Sequence, residues 1–458
     1  MSASEPAARA LGFWTSTALV VGNTIGVGIF VMPASLAPFG LNALSGWLIV
    51  VVGCLFLSIV FARLARAFPQ DDGPYAYMRR AVGDGASFII LWCYWVSLWV
   101  TNAAIAIGVV GYMAVFVPEL GQGHWLPPIT ALALVWLFVL INLCGLRVMG
   151  WMQVLTTMLK LLPQAAIMVL GLWQLLVHPS AYVQHLPPNP ITLHQTMTAS
   201  TIALFAMLGI ECAMIPAGKV RNPERTIPRA TLAGAMLVAL IYVSVSAIAV
   251  LLVPQTVLSA SNAPFADLFQ LFLGAGSAKW VTAFVIISGL GALNGWTFMV
   301  GEVTQSFARH GNFPAALGKL NRSGTPWPAF LLTGAVATGL LLLNYTDSTA
   351  GGFTLLSEAA TLDNMPLYIG CALTVLILWW QARSHPLGQA PDRLWVTAAL
   401  IGSVFVVSVV VGASFQADGL KALLWAIVLG AAGIPIQLWS VYRQRRQRLA
   451  LSTPGRAL

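Results

Sequence analysis

Hydrophobic runs of spanning length recur along the whole chain, separated by short polar stretches. They fall at 12–37, 41–67, 86–117, 127–146, 152–177, 195–217, 228–253, 278–308, 328–345, 353–382, 393–415 and 420–442. A membrane-crossing helix needs roughly 20 mostly apolar residues, and each run meets or nearly meets that length. The pattern predicts an all-α polytopic membrane protein with 12 transmembrane helices. An even number of spans puts both chain ends on one side.

The basic residues say which side. With the N-terminus in the cytoplasm, 20 of the 23 Lys and Arg fall in cytoplasmic segments. Among them are Arg63, Arg66, Arg79 and Arg80, then Lys219, Arg221, Arg225 and Arg229, then the cluster from Arg443 to Arg456. The outer loops keep only Lys279 and Lys421, and Lys160 falls inside a span. Lys and Arg concentrate in the cytoplasmic loops of membrane proteins, so span number and orientation support each other.

Composition adds the reason for the class. Of the 458 residues, 58% are hydrophobic and 8% charged, where a soluble domain carries about 25% charged residues. The net charge of +9 is spread between apolar runs and encodes orientation, so no nucleic-acid partner is expected. Cys54, Cys93, Cys144, Cys212 and Cys371 lie in or beside apolar runs without metal spacing. Neither a disulfide framework nor a metal site is indicated, and no cofactor is expected. Met1–Leu11 has one Arg and no small-residue cleavage site, so no cleaved signal peptide is expected.

Two spans carry the same interruption. The first reads Gly22-Asn23-Thr24-Ile25-Gly26-Val27-Gly28 and reaches Pro33; the sixth reads Leu208-Gly209-Ile210-Glu211-Cys212 and reaches Pro216. In both, a Gly precedes a Pro by seven residues. Gly loosens a helix and exposes its backbone, and non-helical backbone at membrane depth survives only where protein or a cavity surrounds it. Gly/Pro-interrupted spans in matching positions of two halves point to a transporter's central site. Spans one and six match if five helices are followed by five inverted ones. The layout then reads 12–177 for the first repeat, 195–382 for the second, 393–442 for two appended helices and 443–458 for a basic cytoplasmic tail.

Further segments carry a resemblance. Gly22-Asn23 through Pro33, Asp72-Gly73-Pro74-Tyr75-Ala76-Tyr77, Gly209-Ile210-Glu211, Asn222 through Pro228 and Gly295-Trp296-Thr297 follow one another across spans one to eight. Together they resemble the amino acid–polyamine–organocation transporter superfamily. The chain is most similar to the bacterial basic amino acid/polyamine antiporters, the arginine/agmatine exchangers among them. The resemblance thins after about residue 345. It implies a LeuT-like 5+5 inverted repeat, broken helices 1 and 6, and the cell inner membrane.

The first break leaves N–H groups at Gly26, Val27 and Gly28 at the start of a half-helix, where the dipole favours an anion such as a substrate carboxylate. Carbonyls at Thr24, Phe205 and Leu208 suit an ammonium. The resemblance implies the same substrate-binding set. Val27 stands where those antiporters have Ser, and Phe205 where they have Trp. Tyr94, Leu98, Asn102 and Ile105 share one face of span three. By resemblance Tyr94 is a gate aromatic, Asn102 and Leu98 substrate contacts, and Trp296 the ring that stacks on the substrate side chain.

Intramembrane charges are costly and mark function by default. Glu211 either bonds backbone donors at the first break, takes a proton, or does both; the plain alternative is a satisfied helix-break carboxyl. Lys160 is predicted to reach the carbonyls at Gly22–Ile25, a role a bound sodium ion fills in other relatives; the plain alternative is that it snorkels to the cytoplasmic headgroups. Glu302 follows Trp296 by six residues and faces elsewhere. Asp363 in span ten reads as a proton site, a counter-charge or a pore-mouth residue.

No phosphate loop, no Ser/His/Asp set and no clustered His appears: His124, His178, His185, His194, His310 and His385 lie in loops or near span ends. An enzyme is not expected, and a channel would not need matched breaks. The expected function is a sodium-independent secondary exchanger of amino acids or their decarboxylated amines, working by alternating access on a small-molecule substrate in a lipid bilayer. Asn102, Trp296 and Glu211 favour a basic amino acid or polyamine. Val27, Phe205 and Lys160 pull toward a neutral amino acid permease, with proton coupling open. Pairing into a homodimer also stays open.

Overall fold

The computed structural model describes residues 10–69, 73–122, 125–178, 180, 190–261, 264–274, 276–344, 349–384, 391–414 and 419–452. Asp72, His124, His185, His385, most of the 178–194 loop and the last residues of the tail lie outside them.

Among these residues the only regular elements are helices, joined by turns and loops, with one isolated backbone bridge. The main helices are α1 (Phe13–Thr24), α2 (Gly28–Leu36), α3 (Leu41–Ala67), α4 (Pro74–Met113), α5 (Leu126–Leu143), α6 (Leu146–Val177) and α7 (Leu193–Ala206). They continue as α8 (Pro223–Leu252), α9 (Pro264–Leu273), α10 (Ser277–Arg309), α11 (Trp327–Asn344), α12 (Thr349–Ser384), α13 (Arg393–Ala413), α14 (Gly419–Ala431) and α15 (Gly433–Ser452). Ten helical segments among the described residues are long and apolar enough to cross a membrane. Of the twelve expected runs, the sixth and ninth fall short: α7 stops at Ala206, and Trp327–Leu342 is a shorter apolar helix.

Helices sort by burial into a centre and a shell. The apolar windows of the α1–α2 segment, α4 and α10 are 89%, 83% and 72% buried, against 28% for Gly419–Arg443. The first three are therefore surrounded by protein, and the last presents most of its side chains outward. The outward faces are apolar: Leu140, Trp151, Met158, Val404, Leu424 and Ile427 are exposed. Water would penalise such a surface, whereas lipid tails solvate it.

Local chemistry sets the irregularities. Gly83 takes φ 80° and ψ 173°, so α4 begins as a short amphipathic turn before its membrane stretch, where the expected span starts at 86. Pro163 and Pro366 sit inside α6 and α12. The stretch between spans seven and eight, unassigned from the pattern, holds α9, which packs on α2 and α10.

Candidate functional site

The two interrupted segments meet. α1 ends at Thr24, with Ile25 at φ −81° and ψ 82°, and α2 starts at Gly28. After α7, residues 207–216 form turns rather than helix. Gly209 has φ 115°, and a Cβ there would lie 2.8 Å from the Thr24 hydroxyl and 2.9 Å from its backbone nitrogen. Only glycine allows both this backbone conformation and this approach. A second tie runs from the Asn23 amide, which donates to the Cys212 sulfur at 3.1 Å.

A helix that stops leaves its last carbonyls without intrahelical donors. In α1 each finds a side chain. Lys160 donates to Gly22 O at 2.7 Å and to Ile25 O at 2.6 Å. The Trp296 indole N–H donates to Asn23 O at 3.1 Å. The Tyr242 hydroxyl donates to Thr24 O at 2.7 Å, and Ser288 donates at 3.2 Å to Ile25 O and to Gly26 O. The unwound segment is thus held by donors from α6, α8 and α10. Lys160 is fully buried rather than snorkelling to headgroups. The Thr24 carbonyl, expected to meet an ammonium, is already engaged: burial in a dry core demands a partner for every polar group.

A small cavity of about 20 Å³ lies at the junction, lined by Asn23, Thr24, Gly26, Val27, Gly28, Thr101, Ile105, Phe205, Ala206, Leu208 and Trp296. This is the room of about one water molecule, so the walls here are drawn together. Of the expected binding residues, Thr24, Gly26, Val27, Gly28, Phe205, Leu208 and Trp296 line it. Leu98 and Asn102 do not line it. The Asn102 amide donates to Leu98 O at 3.1 Å and accepts from Thr297 at 3.2 Å. Its polar atoms join α4 to α10 behind the wall, and Thr101 and Ile105 supply α4's lining. Asn23, Thr101 and Ala206 were not predicted. A one-residue rotation of a helix face separates Thr101 from Asn102, and periodicity does not fix it that finely. The Gly26 N–H is spent on Thr24 O at 3.0 Å, so the donors left at the head of α2 are those of Val27 and Gly28 and the turn behind them.

Glu211 lies outside the cavity lining, in a polar cluster of its own. The Tyr94 hydroxyl donates to Oε1 at 3.1 Å, the Tyr368 hydroxyl to Oε2 at 2.7 Å, and the Gly209 N–H to Oε2 at 3.2 Å. All three side chains are fully buried. The carboxyl therefore bonds backbone of its own break and not donors of the first one, as one expectation had it. It joins that break to α4 and α12. Tyr368 was missed because span ten lies beyond the quoted motifs; an aromatic hydroxyl deep in an apolar run was its only signal.

Two ion pairs lie near the expected cytoplasmic end. Lys219 and Glu302 form a hydrogen-bonded ion pair, with side chains 8% and 3% exposed. Next to it, Leu11 N–H donates to Lys219 O at 3.0 Å and Arg221 N–H to Leu11 O at 2.8 Å. The strand of chain ahead of α1 is thereby strapped to the chain just past the second break. Arg63 at the end of α3 pairs with Asp392, which also accepts from the Trp395 N–H at 2.8 Å and caps α13. The Trp395 N–H first, and the Arg63 guanidinium second, hold the Asp392 carboxyl below its ordinary range. Asp363 is not brought to the central site. It lines a separate groove of about 530 Å³ between α4, α12, α13 and α14.

The family model described as amino acid permease matches residues 11–433, well past residue 345. The cadaverine/lysine antiporter of Escherichia coli (strain K12) is 32% identical over 374 residues, covering 80% of this chain and 83% of that protein. The putrescine transporter PotE of the same strain is 27% identical over 448 residues, covering 96% of this chain and 97% of that protein.

Proposed function

Because the chain belongs to the amino acid permease family, a family of multi-pass membrane transporters, we propose that it is a sodium-independent exchanger of basic amino acids and their decarboxylated amines. It works by alternating access in the bacterial inner membrane and is a carrier rather than an enzyme. The observation that carries this reading is the cavity walled by both broken segments, with Trp296 and Phe205 as aromatic walls and the head of α2 on one side. A substrate carboxylate is received by the N–H groups of Val27 and Gly28, where the helix dipole favours negative charge. A substrate ammonium meets the Leu208 carbonyl and the Trp296 ring, a cation over Trp being worth about 0.5–2 kcal/mol. An amine without the carboxylate keeps the second set of contacts, so one cavity accepts both exchange partners.

In this reading the shorter helices α7, continued through 207–216, and α11 complete twelve spans. Residues 12–177 and 195–382 form the inverted repeats, 393–442 two appended spans, and 443–458 a cytoplasmic tail beside a cytoplasmic N-terminus. Lys160 holds the α1 break where a sodium ion would otherwise be needed. Glu211, bridged by Tyr94 and Tyr368, ties the second break to α4 and α12 outside the cavity lining and couples movement of that break to those helices. Asn102 braces the wall that carries Trp296. The relatives' names, a cadaverine/lysine antiporter and a putrescine transporter, support the basic and polyamine class over the neutral one.

Counterflow in proteoliposomes tests this. Vesicles loaded with lysine, arginine or ornithine should take up labelled cadaverine, putrescine or agmatine faster than empty vesicles, and equally in sodium or choline buffer. Uptake that is stimulated only by alanine, serine or leucine would establish the neutral class instead. A strict sodium requirement would end the sodium-independent reading.

A further inference from the structure

The groove at Asp363 differs from the central cavity in size, lining and outlook. Its volume of about 530 Å³ falls within the roughly 300–1,000 Å³ of small-molecule sites. Its walls are almost wholly apolar, and its lips include Val407 and Ile427, which are exposed on the bundle's outward face. The groove therefore opens where lipid tails lie. The one charged group in its lining is Asp363, which is 98% buried and whose Oδ2 has no hydrogen-bond partner among the described residues.

A second acceptor stands beside it. Pro366 lies inside α12 and also lines the groove. Proline has no N–H to offer the carbonyl four residues back. That carbonyl belongs to Leu362, again a lining residue. The Asp363 Oδ2 thus lacks a donor and the neighbouring Leu362 carbonyl has lost its usual helix donor, and a buried polar group without a partner costs about 1–3 kcal/mol.

We propose that this groove is a binding site, separate from the transport cavity, for a lipid-soluble primary amine whose nitrogen sits between the Asp363 carboxylate and the Leu362 carbonyl. An ammonium supplies several N–H donors and a compensating charge, and an apolar tail fills the valine-lined trough. A diamine or a free amino acid does not fit, because its second polar end would be stranded among apolar side chains. A phospholipid amine does not fit either. No Lys or Arg lines the groove to meet a phosphate, which would be left unpaired beside the Asp363 carboxylate.

Cys93, on α4, lines the same groove and serves as the reporter. The full-length protein is placed in phosphatidylcholine nanodiscs and treated with N-ethylmaleimide, and alkylation of each cysteine is read by peptide mass spectrometry. 4-Phenylbutylamine is expected to slow Cys93 modification at a concentration at least tenfold below that needed by 4-phenylbutanol, its neutral counterpart. Asp363→Asn should remove that difference, and Pro366→Ala, which restores the N–H, should narrow it. The amine/alcohol comparison is made on the unmodified protein, so it stands even if a variant does not fold. Equal potency of amine and alcohol would overturn the proposal. Cys93 is only 8% exposed, so the same amine/alcohol comparison is also read from the melting temperature of the unmodified protein, and a rise no larger with the amine than with the alcohol would overturn the proposal equally. Protection by lysine or cadaverine at exchange-driving concentrations would assign the groove to the transport path, and this is measured without any transport assay.

Discussion

Lys160 donates a 2.6 Å hydrogen bond to the carbonyl of Ile25, a residue 135 positions earlier in the chain. Together with its 2.7 Å bond to Gly22, this makes one ammonium the clamp on an unwound segment. Ile25 keeps Ser288 as a second donor, whereas no other side chain donates to Gly22 among the described contacts.

Lys160→Ala should therefore leave the Gly22 carbonyl buried and unpaired, at about 1–3 kcal/mol. The variant is expected to insert and fold, with a lower melting temperature in detergent, and to exchange substrate at least tenfold more slowly. Unchanged KM and rate in proteoliposomes would show that the clamp has no part in transport.

Tyr94 and Tyr368 act on opposite oxygens of one carboxylate. Replacing either by Phe leaves one buried oxygen of the Glu211 carboxyl without that donor, about 1–3 kcal/mol. The expected result is a slower exchange rate in each variant, and a double variant that falls short of the sum, because both act through Glu211. Full additivity in a double-mutant cycle would count against a shared cluster.

The Lys219–Glu302 pair is almost fully buried. Removing one partner of such a pair costs about 3–5 kcal/mol, whereas replacing both with apolar groups is often neutral. Glu302→Met should lower the detergent melting point strongly, and adding Lys219→Met should recover much of the loss. A single variant as stable as the parent would refute the pairing as a stability element.

Asp392 gives a pH signature. Its carboxyl is held below the ordinary value by the Trp395 N–H and Arg63, so the folded state binds its proton less readily than the unfolded state. The stabilisation is present above the ordinary carboxylate pKa of about 3.9 and is lost as pH falls through the lower folded value. The pair is half exposed, so the effect is small. Asp392→Asn, which keeps a capping oxygen, should melt slightly below the parent at pH 7, and the gap should close towards pH 3. A gap that widens on acidification would contradict this.

Much was legible because it follows from composition and local backbone chemistry. Apolar runs of spanning length can only be helices where no water satisfies the backbone, so the helical membrane class was readable without coordinates. The breaks at 25–27 and after 206 were readable too, since Gly-rich stretches at membrane depth need a cavity or protein around them. Lys160 was predictable in its partners because an isolated intramembrane ammonium must find acceptors, and the first break supplies them.

What the sequence did not determine is which side chains share a wall. Thr101 and Asn102 differ by one helix position, and only the packing of α4 against α10 turns Asn102 onto Thr297 and Thr101 into the cavity. Glu211 was visible as a charge at a break, but its two tyrosines come from α4 and α12. Glu302 gave no hint that Lys219, 83 residues earlier, would neutralise it. Asp363 read as a proton site, a counter-charge or a pore-mouth residue, and only the packed bundle puts it in a different groove. Helix formation and membrane insertion depend on local backbone chemistry and average apolarity, which the sequence states directly. The rotation of one helix against its neighbours is set by how their side chains interlock, and that is fixed only when all the helices are packed together.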